Sequence, residues 1–260
     1  MTESRCIWCL SPTTCGHKEH IIPEALGCPD GFVLPGSIVC KKCNNGLAHL
    51  DQAVIDEFDF LSFMASIPRK RGRSPVIKSR GNVLATMEAS GPTYSFNMEP
   101  HPVTAHDGKL LSPFRGARRN IRFFFKKDDH KASVSFKVNF GQGPKFARGL
   151  FKIALSSLAY FLGPTVALSH QFNTVREFVR HGRGKDTRYV MHKFADDRKY
   201  LNQAWPPYTS QSGDYVCIFR IAMSEFLVDL SDSQSYLAVL MENADNLYTQ
   251  DKWFLLPPKR

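Results

Sequence analysis

Two CxxC pairs stand out among the seven cysteines of this chain, because their spacing is that of metal ligands. Each CxxC turn supplies two thiolates from one tight loop, and a tetrahedral zinc site takes four such soft ligands. The spacing therefore predicts a structural zinc ion, whereas the alternative is four ordinary cysteines in a small core. The predicted zinc ligands are Cys6, Cys9, Cys40 and Cys43.

Two polar motifs accompany these cysteines. Glu19-His20-Ile21-Ile22-Pro23 lies between the pairs, and Asn44-Asn45-Gly46 follows the second pair directly. Taken together, EHIIPEALG followed by VCKKCNNGLAHLD resembles the HNH, or ββα-metal, endonuclease superfamily in its four-cysteine, zinc-stapled branch. The resemblance covers roughly residues 1 to 66. It implies a carboxylate–histidine pair at the end of a first strand, a second strand leading into the second CxxC, and an asparagine at the start of a helix.

The resemblance also assigns roles by position. It implies that Glu19 and Asn44 hold one Mg²⁺ or Mn²⁺ ion and that His20 is the general base. Phosphodiester hydrolysis needs a hard cation on the phosphate oxygens and a base that deprotonates water. Histidine suits the base role because its unperturbed pKa is about 6.5, and oxygen ligands suit Mg²⁺ or Mn²⁺. The implied activity is metal-dependent endonuclease cleavage of DNA, with RNA not excluded, in host defence or in a mobile element.

Local geometry qualifies these assignments. Neighbouring strand residues face opposite sides, so Glu19 and His20 can reach one metal only where the strand ends in a loop. Asn44 precedes a helical pattern and is also a candidate helix N-cap. Pro35 stands where the family places the asparagine that orients the base, and Glu19 stands where aspartate is more common. The alternative function is therefore a non-catalytic zinc-containing module that binds DNA. A third hypothesis is that the C-terminal domain senses a modified base, a small signal or a partner protein and gates the finger.

Length and composition predict a globular protein with more than the N-terminal motif. The 260 residues are 43% hydrophobic, which suits one zinc finger and one larger domain. Without an apolar run of about 18 residues, neither a transmembrane helix nor, near the N-terminus, a signal peptide is expected. An odd number of cysteines fits a reducing cytoplasm, with Cys15, Cys28 and Cys217 as buried or free thiols.

Basic residues favour a polyanionic partner. The net charge is +10 with a pI of about 9.3, and the basic residues fall into three clusters. We predict phosphate contacts in these clusters, with an ordinary solvated surface as the alternative. The candidates are Arg69, Lys70, Arg71, Arg73, Arg118, Arg119 and Arg122, and the third cluster includes Arg176, Arg180 and Arg188. Since one finger cuts one strand, a homodimer is one route to double-strand cleavage.

Hydrophobic periodicity places the elements. The pattern predicts an α+β protein with a basic linker over 67–75 and a larger α+β domain over 76–260. The resemblance implies a ββα-metal finger over 1–66, with the larger domain binding or selecting the target. That larger domain is expected to contain antiparallel strands and a central helix. Predicted helices are Gly46 to about Ala65, Lys145–Leu162 and Phe172–Arg180; strands are expected within 76–140 and at Tyr215–Ala222, Glu225–Leu230 and Tyr236–Met241.

Overall fold

Helices and antiparallel strands occur mostly in separate runs along the chain, so the protein is of the α+β class, as the sequence predicts. The computed structural model describes residues 4–13, 18–64, 76–78, 83–88, 91–96, 121–126, 131–136, 141, 143–182, 188–195, 201–210, 213–242 and 253–256. Over these ranges, every helix is too short or too polar to cross a lipid bilayer.

The N-terminal elements are two short strands and a long helix. Strand β1 (Glu19–His20) pairs antiparallel with strand β2 (Val33–Leu34), so that Glu19 lies opposite Leu34 and His20 opposite Val33. A 3-10 turn at Glu24–Leu26 joins the strands, and helix α1 (Lys41–Met64) follows. The second CxxC pair therefore lies at the N-terminal end of α1.

Helix α1 begins at Lys41, and the predicted start at Gly46 was wrong. Cys40 immediately precedes the helix, and its Sγ accepts a hydrogen bond from the Cys43 N–H at 3.4 Å. Its carbonyl accepts from the Asn44 N–H at 2.9 Å, so Asn44 lies within the helix and is not the N-cap. The first turn contains two lysines, a cysteine and an asparagine, and the apolar repeat begins only at Leu47, so periodicity did not reveal the true start.

Helix α2 (Pro144–Leu162) is the central helix, and its bounds match the predicted 145–162 segment. Proline suits its first position because that position needs no backbone donor. A short helix, α3 (Pro164–Ala167), follows, and then α4 (Asn173–His181), which agrees with the predicted 172–180 helix. Gly182 ends α4 with a φ of 66°, a conformation that glycine adopts without steric cost.

A six-stranded antiparallel sheet packs against α2. It contains β8 (Val190–Phe194), β9 (Gln203–Ala204), β10 (Tyr208–Thr209), β11 (Tyr215–Ile221), β12 (Ser224–Asp229) and β13 (Phe254–Leu256). The strand order is β10-β11-β12-β8-β13, and β9 pairs with β11 beside β10. The predicted strands at 215–222 and 225–230 are thus confirmed as β11 and β12.

The third predicted strand, Tyr236–Met241, was wrong, because this segment is helix α5 (Ser235–Glu242). The buried carboxylate of Asp229, at the end of β12, accepts hydrogen bonds from the backbone N–H groups of Tyr236 and Leu237 at 3.0 and 3.2 Å. N–H groups in the first turn of a helix have no acceptor within the helix, so Asp229 supplies one. A carboxylate at this position also complements the helix dipole. A capping residue outside the segment therefore decides its conformation.

The strands predicted within 76–140 are present as two further antiparallel groups. One is the three-stranded sheet β3-β4-β5, and the other is the hairpin β6-β7. Their bounds are β3 Val76–Lys78, β4 Val83–Glu88, β5 Gly91–Phe96, β6 Ile121–Lys126 and β7 Lys131–Phe136.

Helices α1 and α2 pack closely within one hydrophobic core. Phe58 of α1 meets Phe146 of α2 and Phe226 of β12, with ring centroids 6.2 and 6.1 Å apart. A Cβ atom at Gly149 would lie 2.5 Å from Cγ2 of Val54, so glycine permits this close approach. The predicted linker 67–75 lies outside the described residues, and the division into domains stays a prediction.

Candidate metal centre and catalytic residues

The structure brings the four predicted zinc ligands together. The Sγ atoms of Cys6, Cys9, Cys40 and Cys43 all lie within 4.8 Å of one another. Tetrahedral coordination with Zn–S bonds of about 2.3 Å requires sulfurs about 3.8 Å apart, and Cys9 and Cys40 have their sulfurs 3.7 Å apart. The cluster therefore has the donor set and spacing of a structural metal site, and zinc fits it.

The electrostatics of the cluster favour a thiolate at Cys6, whereas burial raises the pKa of Cys40. A hydrogen bond from Cys43 lowers the pKa of Cys6 to about 4 despite burial, and three backbone hydrogen bonds act in the same direction. The same contact raises the pKa of Cys43, which keeps the shared proton. Because zinc binds thiolates, metal binding would release this proton. The N-terminal end of α1, with its partial positive charge, lies beside Cys40 and Cys43 and also stabilises negative sulfur.

A buried arginine ties the first CxxC turn to the later helices. Arg176 of α4 is only 3% exposed, and its Nε donates to the carbonyl of Ile7 at 2.8 Å. Its other nitrogens donate to the carbonyls of Ala167 and Ser169 and to Oδ1 of Asn173. The guanidinium thus satisfies three backbone acceptors, one in the first CxxC turn and two at and just after the end of α3.

This geometry corrects part of the prediction for the third basic cluster. Arg176 and Arg188 are buried, and Arg188 donates to the carbonyl of Ser231 at 2.9 Å. Neither side chain is on the surface where DNA phosphates could bind. A cluster of basic residues in the sequence is the same whether its arginines lie on a solvated face or bind main-chain carbonyls. The sequence therefore could not distinguish the two cases.

Replacing Arg176 with methionine should lower the free energy of unfolding by about 3 kcal/mol. The change leaves the carbonyls of Ile7, Ala167 and Ser169 buried without their donor, and each unsatisfied group costs about 1–3 kcal/mol before relaxation. Urea unfolding measures the effect, with Arg180→Met as control because Arg180 is half exposed one turn farther along α4. Equal stabilities of the two variants would contradict a structural role for the Arg176 contacts.

Glu19 lies inside the protein, in an ion-paired cluster. Its side chain is 4% exposed, and its Oε1 lies 2.5 Å from Nζ of Lys152 on α2. Nζ of Lys152 also donates to both carboxylate oxygens of Asp51 on α1, at 2.7 Å each. One ammonium group therefore joins two carboxylates from β1 and α1, and we call these three residues the Glu19–Lys152–Asp51 cluster.

Burial and charge oppose each other in this cluster. Burial raises the pKa of Glu19 above its ordinary value, although the attraction of Lys152 opposes the change. Burial alone would lower the pKa of Lys152, but the combined attraction of Asp51 and Glu19 outweighs it and raises the pKa. Lys152 is therefore a charged ammonium near neutral pH, and it provides the positive charge next to Glu19.

His20 faces the opposite side of β1 from Glu19. Glu19 is buried and His20 is partly exposed, which confirms the alternation expected from strand geometry. His20 is the last residue of β1, and a bend follows at 21–22. The strand therefore ends directly after Glu19 and His20, the predicted catalytic pair.

Pro35 precedes the second CxxC pair in sequence, and Asn44 follows it directly. Asn44 is half-buried near the start of α1, and Pro35 is exposed just after β2. The carbonyl of Pro35 accepts the N–H of Ile38 at 3.0 Å, so this proline forms a turn that leads toward Cys40.

Comparisons with known proteins leave the chain unassigned. No protein-family model, curated protein or solved structure matches it.

The predicted phosphate contacts stay predictions. Arg122 belongs to β6, and the other candidates, Arg69, Lys70, Arg71, Arg73, Arg118 and Arg119, lie outside the described residues.

Sequence reasoning missed both Lys152 and Asp51. The available signal was a single lysine in the run Gly149 to Leu155 of α2, which is otherwise apolar and is continuously buried. A buried lysine is rare unless it is paired, which would have indicated an acidic partner. It would not have identified Asp51, which lies 101 positions away in sequence.

Proposed function

We propose that the protein is a metal-dependent endonuclease of the HNH type that hydrolyses phosphodiester bonds in DNA. The observation that carries the proposal is the order and placement of the N-terminal elements. β1 carries Glu19 and His20, β2 pairs with it, and α1 begins between the cysteines of the second CxxC, with Asn44 in its first turns. This order of two antiparallel strands and a helix is the order expected for a ββα-metal site, and it supports the proposal.

In the proposed mechanism, His20 deprotonates the attacking water. The partly exposed imidazole is accessible to a water molecule and to the substrate. The water oxygen forms a bond to phosphorus, the P–O3′ bond breaks, and the 3′ oxygen takes up a proton. A Mg²⁺ or Mn²⁺ ion held by Glu19 and Asn44 would supply positive charge to the phosphate oxygens. The products would be a 5′-phosphate and a 3′-hydroxyl.

The four-cysteine cluster has a positioning role in this proposal. It joins the turn before β1 to the start of α1, so a bound zinc ion would fix Asn44 relative to the Glu19–His20 strand. Catalytic groups must hold their relative positions closely, because small displacements lower the rate. The oxygen ligands suit a hard cation and the sulfur ligands suit zinc, so the two metals would occupy separate sites.

Incubation of supercoiled plasmid with the zinc-loaded protein tests the proposal. We expect nicked circles when Mg²⁺ or Mn²⁺ is added and none when the only metal is the bound zinc. Binding should weaken as salt increases, because basic residues release counterions from DNA. Plasmid that is bound but intact with either metal would count against the nuclease and in favour of a DNA-binding module.

The second candidate is a non-catalytic zinc-containing DNA-binding or sensor protein. Two observations favour it: Lys152 contacts the carboxylate that the nuclease needs for its metal, and Pro35 lacks a side chain that could orient His20. In this alternative the Glu19–Lys152–Asp51 cluster is purely structural. Fluorescence anisotropy with labelled DNA would then show salt-dependent binding without any cleavage.

A further inference from the structure

The Glu19–Lys152–Asp51 cluster is a cation-binding site already filled by the protein itself. Three carboxylate oxygens lie 2.5, 2.7 and 2.7 Å from Nζ of Lys152. Lys152 and Glu19 are 2% and 4% exposed, whereas the side chain of Asp51 is 27% exposed. Two negative charges surround one positive charge, which leaves one negative charge in excess.

Helix packing holds the ammonium in place. A Cβ atom at Gly149 of α2 would lie 3.0 Å from the carbonyl oxygen of Leu50 on α1, so glycine permits a close approach of the helices. Lys152, almost one turn farther along α2, lies next to Asp51. Asp51 contributes both of its oxygens to Lys152, whereas one Glu19 oxygen makes the ion pair. The lysine is therefore anchored to Asp51 independently of Glu19.

A divalent cation at Glu19 would meet this ammonium at short range. Two like charges that share a carboxylate repel each other strongly where water does not screen them. The proposed function places a metal on Glu19, so the metal and Lys152 cannot both make their best contacts with this side chain. Asp51 can keep the ammonium when Glu19 turns to the metal.

We propose that Lys152 and the divalent cation compete for Glu19, and that Asp51 retains Lys152 when the metal binds. This inference rests on the proposed function in one respect, which is that the metal binds at Glu19. Without metal, Lys152 neutralises Glu19, and the protein keeps its fold without an unpaired buried carboxylate. When the metal is bound, the ion supplies the positive charge next to Glu19. Because Lys152 must first move away from Glu19, the affinity of the protein for the divalent cation is lower than it would be without this lysine.

Mn²⁺ binding to the zinc-loaded protein, measured by electron paramagnetic resonance without DNA, tests the competition. We expect Lys152→Met to bind Mn²⁺ at least about tenfold more tightly than the wild type, because the repelling charge is gone. The matched control is Lys145→Met, an exposed lysine on the same helix, which should bind as the wild type does. Adding Glu19→Gln to Lys152→Met should abolish the gain.

Asp51→Asn tests the second half of the proposal. Without the carboxylate, Lys152 has Glu19 as its remaining anionic partner in the cluster, so Mn²⁺ affinity should fall about tenfold. An affinity of Lys152→Met no higher than that of Lys145→Met would overturn the competition, as would a gain that survives Glu19→Gln. An unchanged affinity in Asp51→Asn would overturn the role of Asp51.

Lys152→Met leaves Glu19 buried without a counter-charge, so its stability needs a separate measurement. We expect a lower melting temperature than for Lys145→Met, and recovery on addition of Mn²⁺ because the metal replaces the lost cation. Failure of Mn²⁺ to restore the melting temperature would contradict the proposal even if the variant folds poorly. None of these measurements uses DNA, so absence of plasmid cleavage would reject the nuclease and leave the competition to be decided by metal binding.

Discussion

Replacing Cys43 with serine should abolish zinc binding by the four-cysteine cluster and unfold the N-terminal elements. The Sγ of Cys43 is one of four sulfurs within 4.8 Å of one another, and a serine hydroxyl is a poor substitute for a thiolate on zinc. For small zinc sites the metal-binding free energy, about 10–16 kcal/mol, is also folding free energy. Loss of one ligand from four should therefore remove several kcal/mol of stability.

The core should transmit this effect beyond the cysteines. Cys43 lies in the first turn of α1, and Phe58 on the same helix packs against Phe146 and Phe226. When the start of α1 unfolds, the packing of α1 against α2 is weakened. The melting temperature of the hydrophobic core that these helices share should therefore fall.

Metal analysis and thermal unfolding measure both consequences. The matched control is Cys28→Ser, because Cys28 is half-buried outside the cluster and donates one hydrogen bond to the carbonyl of Phe32 at 3.3 Å. This control should retain one zinc ion per chain and most of its stability. A Cys43→Ser protein that purifies with a full complement of zinc would show that the cluster is not the zinc site.

His20→Ala should reduce plasmid cleavage by about 10²–10⁴-fold, the usual contribution of a general base. The expectation depends on the proposed nuclease activity and on the placement of His20 at the exposed side of β1. Because the side chain is only partly buried, its removal should leave a small cavity and little change in stability. Zinc content should also be unchanged, since His20 is not among the four clustered ligands.

Initial cleavage rates with saturating Mg²⁺ distinguish the loss of a general base from the effect of removing any histidine. His181→Ala is the control, because His181 is an exposed histidine at the end of α4. A His20→Ala protein that cuts at the wild-type rate would exclude His20 as the base, even if the wild type is a nuclease. Added imidazole that restores part of the lost rate would identify the missing group as a proton acceptor.

Two buried cations connect the N-terminal motif to later parts of the chain. Lys152 of α2 pairs with Glu19, and Arg176 of α4 binds the carbonyl of Ile7 in the first CxxC turn. A third connection is Asn202, which donates to the carbonyls of Leu26 and Gly27 between β1 and β2. The proposed catalytic strand is therefore supported by side chains that an isolated motif would lack.

The sequence predicted the features that depend on local spacing. CxxC pairs place two thiolates on one turn whatever the surrounding fold, so four clustered cysteines could be predicted. Strand alternation placed Glu19 and His20 on opposite sides, and the apolar repeat predicted α2 within one residue at its start. These features need information only from residues close in sequence.

Tertiary contacts decided the rest. Asp229 caps the segment that begins at Ser235 and makes it helical, although its apolar composition suited a strand. The pairing of Glu19 with Lys152 depends on how α2 packs against α1, which no local pattern encodes. The sequence by itself therefore determined which residues could bind metal or transfer a proton. The tertiary structure decided that the carboxylate among them already has a cation, because burial of Glu19 requires a counter-charge and the α1–α2 packing supplies Lys152.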